Sequence, residues 1–213
     1  MTTATLAPEF ELEASDRPLG PTLPQRAGRL LWAPMLAMAL MAFPIALILG
    51  FVRAGAVSDD TDLATITALE HLGPAFMFIG FAAVLAAVSF AIARILGVLR
   101  TGGRAVQETA GHHVQTLKMP LTGKVFSGLM MMAMMAILLA VAAHFIIGFG
   151  ILGGDEALAA DSGTLFAVLE GVRRIGVAMF LLAIAFGLGT IVEVLRFQAR
   201  RIGELPTEAP VVR

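Results

Sequence analysis

The chain contains no cysteine, which removes disulfide frameworks, thiolate-bound iron–sulfur clusters and a cysteine nucleophile. Charge is scarce too. Only 15% of the 213 residues are Asp, Glu, Lys or Arg, where a soluble domain carries about a quarter. The balance of 15 basic and 16 acidic residues leaves a net charge of -1, so no general field draws the protein to nucleic acid. A phosphate-cradling glycine loop, an HExxH zinc pattern and a dinucleotide fingerprint are all missing, and no soluble nucleotide cofactor is expected. The serines, histidines and acids form no nucleophile elbow. These absences leave no catalytic residue to name and speak against an enzyme acting alone.

Apolar residues fill the gap, at 58% of the chain with a mean hydropathy of +0.86. They fall in four long runs, at about 30–52, 72–99, 125–150 and 172–200. Each run holds some 20 mostly apolar residues, which as a helix matches a hydrocarbon core of roughly 30 Å. The expected fold is all-α, an integral membrane bundle of four transmembrane helices spanning 30–202. Flexible cytoplasmic tails are expected at 1–29 and 203–213. The first tail carries Glu9, Glu11, Glu13 and Asp16 among Pro8, Pro18, Pro21 and Pro24, unlike a cleaved signal or transit peptide.

Arg94, Arg100, Arg104, Lys118 and Lys124 lie between spans two and three against Glu108 alone. Arg26 and Arg29 precede span one, and Arg196, Arg200 and Arg201 follow span four. Asp59, Asp60, Asp62 and Glu70 separate spans one and two. Cytoplasmic connections are enriched in Lys and Arg, so both termini and the middle connection are expected inside, in a bacterial inner membrane. Arg173 and Arg174 break the rule at the outer mouth of span four, where Asp155, Glu156, Asp161 and Glu170 offer local partners.

The halves echo each other at an offset of 100 residues: Met35 with Met135, Gly50 with Gly150, Leu69–Glu70 with Leu169–Glu170, and Arg100 with Arg200. Two tandem helical hairpins would give such an echo, as transporters do, although apolar helices also match by chance. The outer connections suggest a turn and a surface helix, the first capped by Asp62, the second opened by Gly153–Gly154. Within 100–120, Val106, Ala110, Val114 and Leu117 fall at helical intervals and suggest a helix on the inner leaflet. The Gly102–Gly103 pair reads as a turn, and His112 and His113 as solvated. Ala82, Ala83, Ala86, Ala87, Ser89 and Ala93 of span two form seams for close helix packing, as do Ala136, Ala140 and His144 of span three and Ala183, Gly187, Gly189 and Glu193 of span four. Pro34, Pro44 and Pro74 suit helix starts or bends.

Few polar groups enter the apolar runs. His144 lies about six residues inside the outer end of span three, and His71 opens span two at that same face. Two imidazoles from different helices are the minimum set for axial ligation of a b-type haem. Arg173 and Arg174 at the same interface suit its propionates. The pair also suits a quinone headgroup or, with Glu70, a metal. The plainer reading makes His71 an interfacial residue and lets His144 bond a neighbouring carbonyl. Met130, Met131, Met132, Met134 and Met135 offer soft thioethers to Cu(I), but they point around the whole helix and suit adaptable packing. Glu193 is placed to pair with Arg94, Arg196 or Arg200, and no deeper acid continues it into a proton relay.

Three functions follow from these features. The first is a non-catalytic membrane subunit or accessory protein packed within a larger membrane complex, with lipid and other membrane subunits as partners. The second is a haem b or quinone-binding membrane anchor for electron transfer at His71 and His144. The third is a small transporter or channel component.

Overall fold

The computed structural model describes residues 10, 12–14, 22–59 and 62–207. Of the expected tails, residues 1–9, 11, 15–21 and 208–213 lie outside the described residues. In chain order the elements are β1 (Leu12–Ala14), α1 (Leu23–Ser58), α2 (Leu63–Thr109), β2 (Gln115–Leu117), α3 (Leu121–Leu152) and α4 (Glu156–Glu204), then a 3-10 turn at Leu205–Thr207. All four helices are long and apolar enough to cross a membrane. The chain is an all-α, four-helix bundle, as its composition predicts.

The helices outrun their apolar stretches. Hydropathy marks where a helix meets lipid, whereas capping groups and turn residues decide where it ends. At 47 residues, α2 extends about 70 Å, more than twice the hydrocarbon thickness. The helix expected near Asp62 is therefore the first turns of α2. Asp62 occupies its N-cap position, but its side chain makes no capping bond; its carbonyl accepts from the Thr65 and Ile66 amides. The second outer connection is likewise only a turn. Gly154 adopts φ 88°, a left-handed conformation that suits glycine, and Asp155 caps α4 by accepting from the Leu158 amide at 3.1 Å.

Two expectations at the other end are corrected. No separate surface helix occupies 100–120. Instead α2 runs to Thr109, Gly111 turns the chain at φ 74°, and β2 pairs antiparallel with β1 in the register Leu12–Leu117, Glu13–Thr116 and Ala14–Gln115. The Gly102–Gly103 pair is helical, not a turn. It serves close approach: a Cβ on Gly103 would stand 2.7 Å from the Gln198 side-chain amide of α4.

Packing is densest between α1 and α2 and between α3 and α4, the two expected hairpins. Helix α2 is the hub and touches all three others, whereas α1 rests almost wholly on α2 and buries only Gly28, Ala39 and Ala42. Lipid supplies little hydrophobic force between helices, so small residues set how closely they approach. Ala83, Ala86, Ala87, Ser89 and Ala93 of α2 are all buried, and Ala86 joins Ala133, Ile137, Val141 and Phe180 in a core cluster. On α4 the buried stripe runs Phe180, Ala183, Gly187 and Thr190, with Thr190 in the place expected of Gly189. Two ends result. The turn end carries the α1–α2 and α3–α4 turns, and the terminal end carries the α2–α3 connection and the described flanks of the helical region.

Candidate functional site

Near the turn end, three helices bring polar side chains into the interior. His71 lies eight residues after Leu63 and His144 eight residues before Leu152. Both therefore sit about 12 Å along their helices from the same end. They are level, and no tilt is needed to bring them together. Their relative exposures are 1% and 0%, and their Nδ1 atoms face each other at 3.0 Å.

Two neutral imidazoles share such a contact only if one ring carries its proton on Nδ1 and the other on Nε2. Which ring donates depends on the tautomers. The second ring nitrogen of His144, Nε2, is buried and has no hydrogen-bond partner among the described residues.

Helix α4 closes the site. The Phe166 ring meets both imidazoles edge-on, with centroids 5.7 Å from each. Ser162, Phe166, Glu170 and Arg173 form one stripe at helical spacing. Arg173 is 1% exposed; its guanidinium lies 4.1 Å from the Phe78 ring centroid and 5.4 Å from that of Phe166. It pairs with Glu170 through Nη2, while its Nε and Nη1 are buried without hydrogen-bond partners among the described residues. Glu170 also accepts from Nε of Arg174 at 2.8 Å.

The two adjacent arginines thus part company. Arg173 enters the interior, and the Arg174 side chain is 78% exposed, turned away by the step of the helix. Glu70, next to His71, pairs with Arg53 of α1 and ties the first hairpin across its turn.

Among the described residues, no group of three or more His, Asp or Glu side chains is arranged to hold a metal. For haem, iron between two imidazoles requires about 2 Å to each nitrogen, hence nitrogens about 4 Å apart. The 3.0 Å contact is shorter, and Phe166 flanks it.

His71, His144 and Arg173 were legible as polar groups in apolar runs. Glu170 was legible as one of four local partners for Arg173 and Arg174, whereas Phe166 is an apolar residue among many and only its spacing from Arg173 on α4 marks it. Elsewhere, Met131, Met132 and Met135 are exposed, while Met130 and Met134 pack on the core, an arrangement of packing and lipid contact. Glu193 accepts from the Thr122 hydroxyl at 3.1 Å, and Arg94 lies 5.5 Å from the Trp32 ring centroid. Comparisons with protein-family models, curated proteins and solved structures find no match.

Proposed function

We propose that the protein is a membrane anchor for electron transfer, and that the His71–His144 centre receives the headgroup of a quinone. The observation that supports this reading is a set of buried polar atoms that lack a hydrogen-bond partner among the described residues: His144 Nε2 and the donors Arg173 Nε and Nη1. A quinone presents carbonyl oxygens that accept from N–H groups, and its quinol presents hydroxyls that donate to a bare imidazole nitrogen. Flat aromatic walls, here Phe78 and Phe166, suit such a ring. Unmet buried donors and acceptors cost about 1–3 kcal/mol each, so a ligand that satisfies them gains by doing so. Phe166, against both imidazoles, is the side chain that moves to admit the ring.

Haem at the same pair is the second reading, favoured by two level imidazoles on different helices, but it requires their direct hydrogen bond to open for iron. In either case the electron partner is another membrane subunit. The Lys and Arg bias supports a cytoplasmic terminal end, with the His pair near the opposite face of a bacterial inner membrane.

The test is to purify the protein from native membranes in mild detergent, extract it and quantify quinone per chain. Stoichiometric quinone that is lost in His144→Leu and in Arg173→Met supports the reading. Quinone retained in both variants overturns it. A Soret band lost in His71→Ala moves the assignment to haem. Protein with neither group leaves the first function, a packing subunit.

A further inference from the structure

The terminal end holds a second feature, independent of the His pair. Between the ends of the helices and β2 lies a cavity of about 380 Å³, within the usual range of roughly 300–1,000 Å³ for small-molecule sites. Its deep walls are apolar, formed by Ala93, Leu96, Phe126, Val194 and Phe197. Toward the α2–α3 connection it meets three guanidinium groups, those of Arg100, Arg104 and Arg201.

Two of the three have acceptors. Arg104 donates to Glu108 at 2.6 Å. Arg201, 2% exposed, donates to the Gln107 side-chain oxygen at 3.1 Å and to the His113 carbonyl at 3.4 Å, and lies 3.6 Å from Glu204. Arg100 differs, because its Nε is buried with no hydrogen-bond partner among the described residues. A buried guanidinium N–H is costly unless an acceptor, preferably an anion, comes to it. From Arg100 to Ala93 is seven residues of α2, roughly 10 Å, so the cationic point and the apolar depth are separated along the helix axis.

We propose that this cavity binds a single-chain amphiphile with a carboxylate head, a fatty acid drawn from the surrounding leaflet, its head on Arg100 and its chain directed toward Ala93 and Phe126. The chain replaces apolar contact with lipid by contact with side chains, and the carboxylate gives Arg100 its missing acceptor. Charge-assisted bonds of this type are about twice as strong as neutral ones, which makes the head the selective element.

Native mass spectrometry of the full chain in neutral detergent tests the proposal, with oleate, oleyl alcohol and phosphatidylglycerol as probes. Oleate is expected to form one saturable adduct and the alcohol to bind at least about tenfold more weakly. Arg100→Gln should weaken oleate by about tenfold or more and leave the alcohol unchanged, while Arg100→Lys retains part of the affinity. Ser127→Leu, which adds bulk to the cavity wall, should weaken both. Arg196→Gln, an exposed residue of α4 at the same end, should change neither. Equal binding of acid and alcohol, or an unaltered Arg100→Gln variant that melts like wild type, overturns the proposal. Phosphatidylglycerol displacing oleate mole for mole also overturns it, in favour of a two-chain lipid.

Discussion

Gly148 of α3 lies so close to Leu72 of α2 that a Cβ built on it would stand 2.9 Å from both Cγ and Cδ2 of the leucine, and 3.3 Å from the Ala68 carbonyl oxygen. Leu72 follows His71, and Gly148 is one helical turn beyond His144. This close approach is what lets the two short imidazole side chains meet. Gly148→Ala should push α2 and α3 apart and break the His71–His144 bond, at a cost of about 1–3 kcal/mol. Leu72→Ala in the same chain should restore much of the loss. Nitrogen-15 NMR of labelled histidine reports the shared proton, and a signal unchanged in Gly148→Ala would show that the helices do not hold the pair through this contact.

The His pair was readable in the sequence because an imidazole in an apolar run is conspicuous. Its geometry was not. The apolar run of span two begins at Leu72, which makes His71 look like a headgroup residue, whereas α2 begins at Leu63 and carries it two turns inward. Hydropathy sees the lipid boundary and is blind to helix that continues through acidic residues. The same blindness hid the terminal cavity. Arg100, Arg104 and Arg201 served in the sequence as counters for orientation, yet the extended α2 and α4 bring all three to the wall of one cavity. The span count and the alanine seam were legible because both rest on residue size and polarity alone.

That seam makes a direct comparison possible. Ala86 is 1% exposed and Met77 is 40% exposed. Ala86→Leu forces a branched side chain into the cluster with Ile137 and Phe180 and should destabilise the bundle by about 1–3 kcal/mol. Met77→Leu nearly conserves volume and should cost under about 1 kcal/mol. Thermal unfolding in detergent measures both. Equal, small shifts would mean that the Ala86 face looks at lipid.

Orientation is open to a reporter that is active only outside the cytoplasm. Fusions next to Asp59, after α1, or within 153–155, after α3, should be active. Fusions within 110–114 or after 207 should be silent, because the Lys and Arg bias favours the terminal end inside. Activity within 110–114 would reverse the protein in the membrane, and with it the side on which a quinone or fatty acid is met.

The Glu170 triad offers the most asymmetric outcome. Glu170 holds one buried guanidinium, Arg173, and one exposed, Arg174, with side-chain exposures of 1% and 78%. Removing Arg174 costs little, since an exposed pair contributes about 0–1 kcal/mol. Removing Arg173 takes a charge out of the interior and leaves Glu170 with Arg174 as its counter-ion, so Arg173→Met should also be tolerated. Removing Glu170 is different. It strands a cation among Phe78, Phe166 and the imidazoles, and breaking a buried pair from one side costs about 3–5 kcal/mol. Glu170 itself is 29% exposed, so water relieves part of this and about 2 kcal/mol is the expected loss for Glu170→Gln. Arg173→Met added to Glu170→Gln should recover most of it, because the stranded charge is then gone. The double-mutant cycle, read by thermal unfolding, isolates this coupling. If Glu170→Gln is as mild as Arg174→Gln, Arg173 is neutralised by something other than Glu170, and the buried pair is not what holds α4 against the histidines.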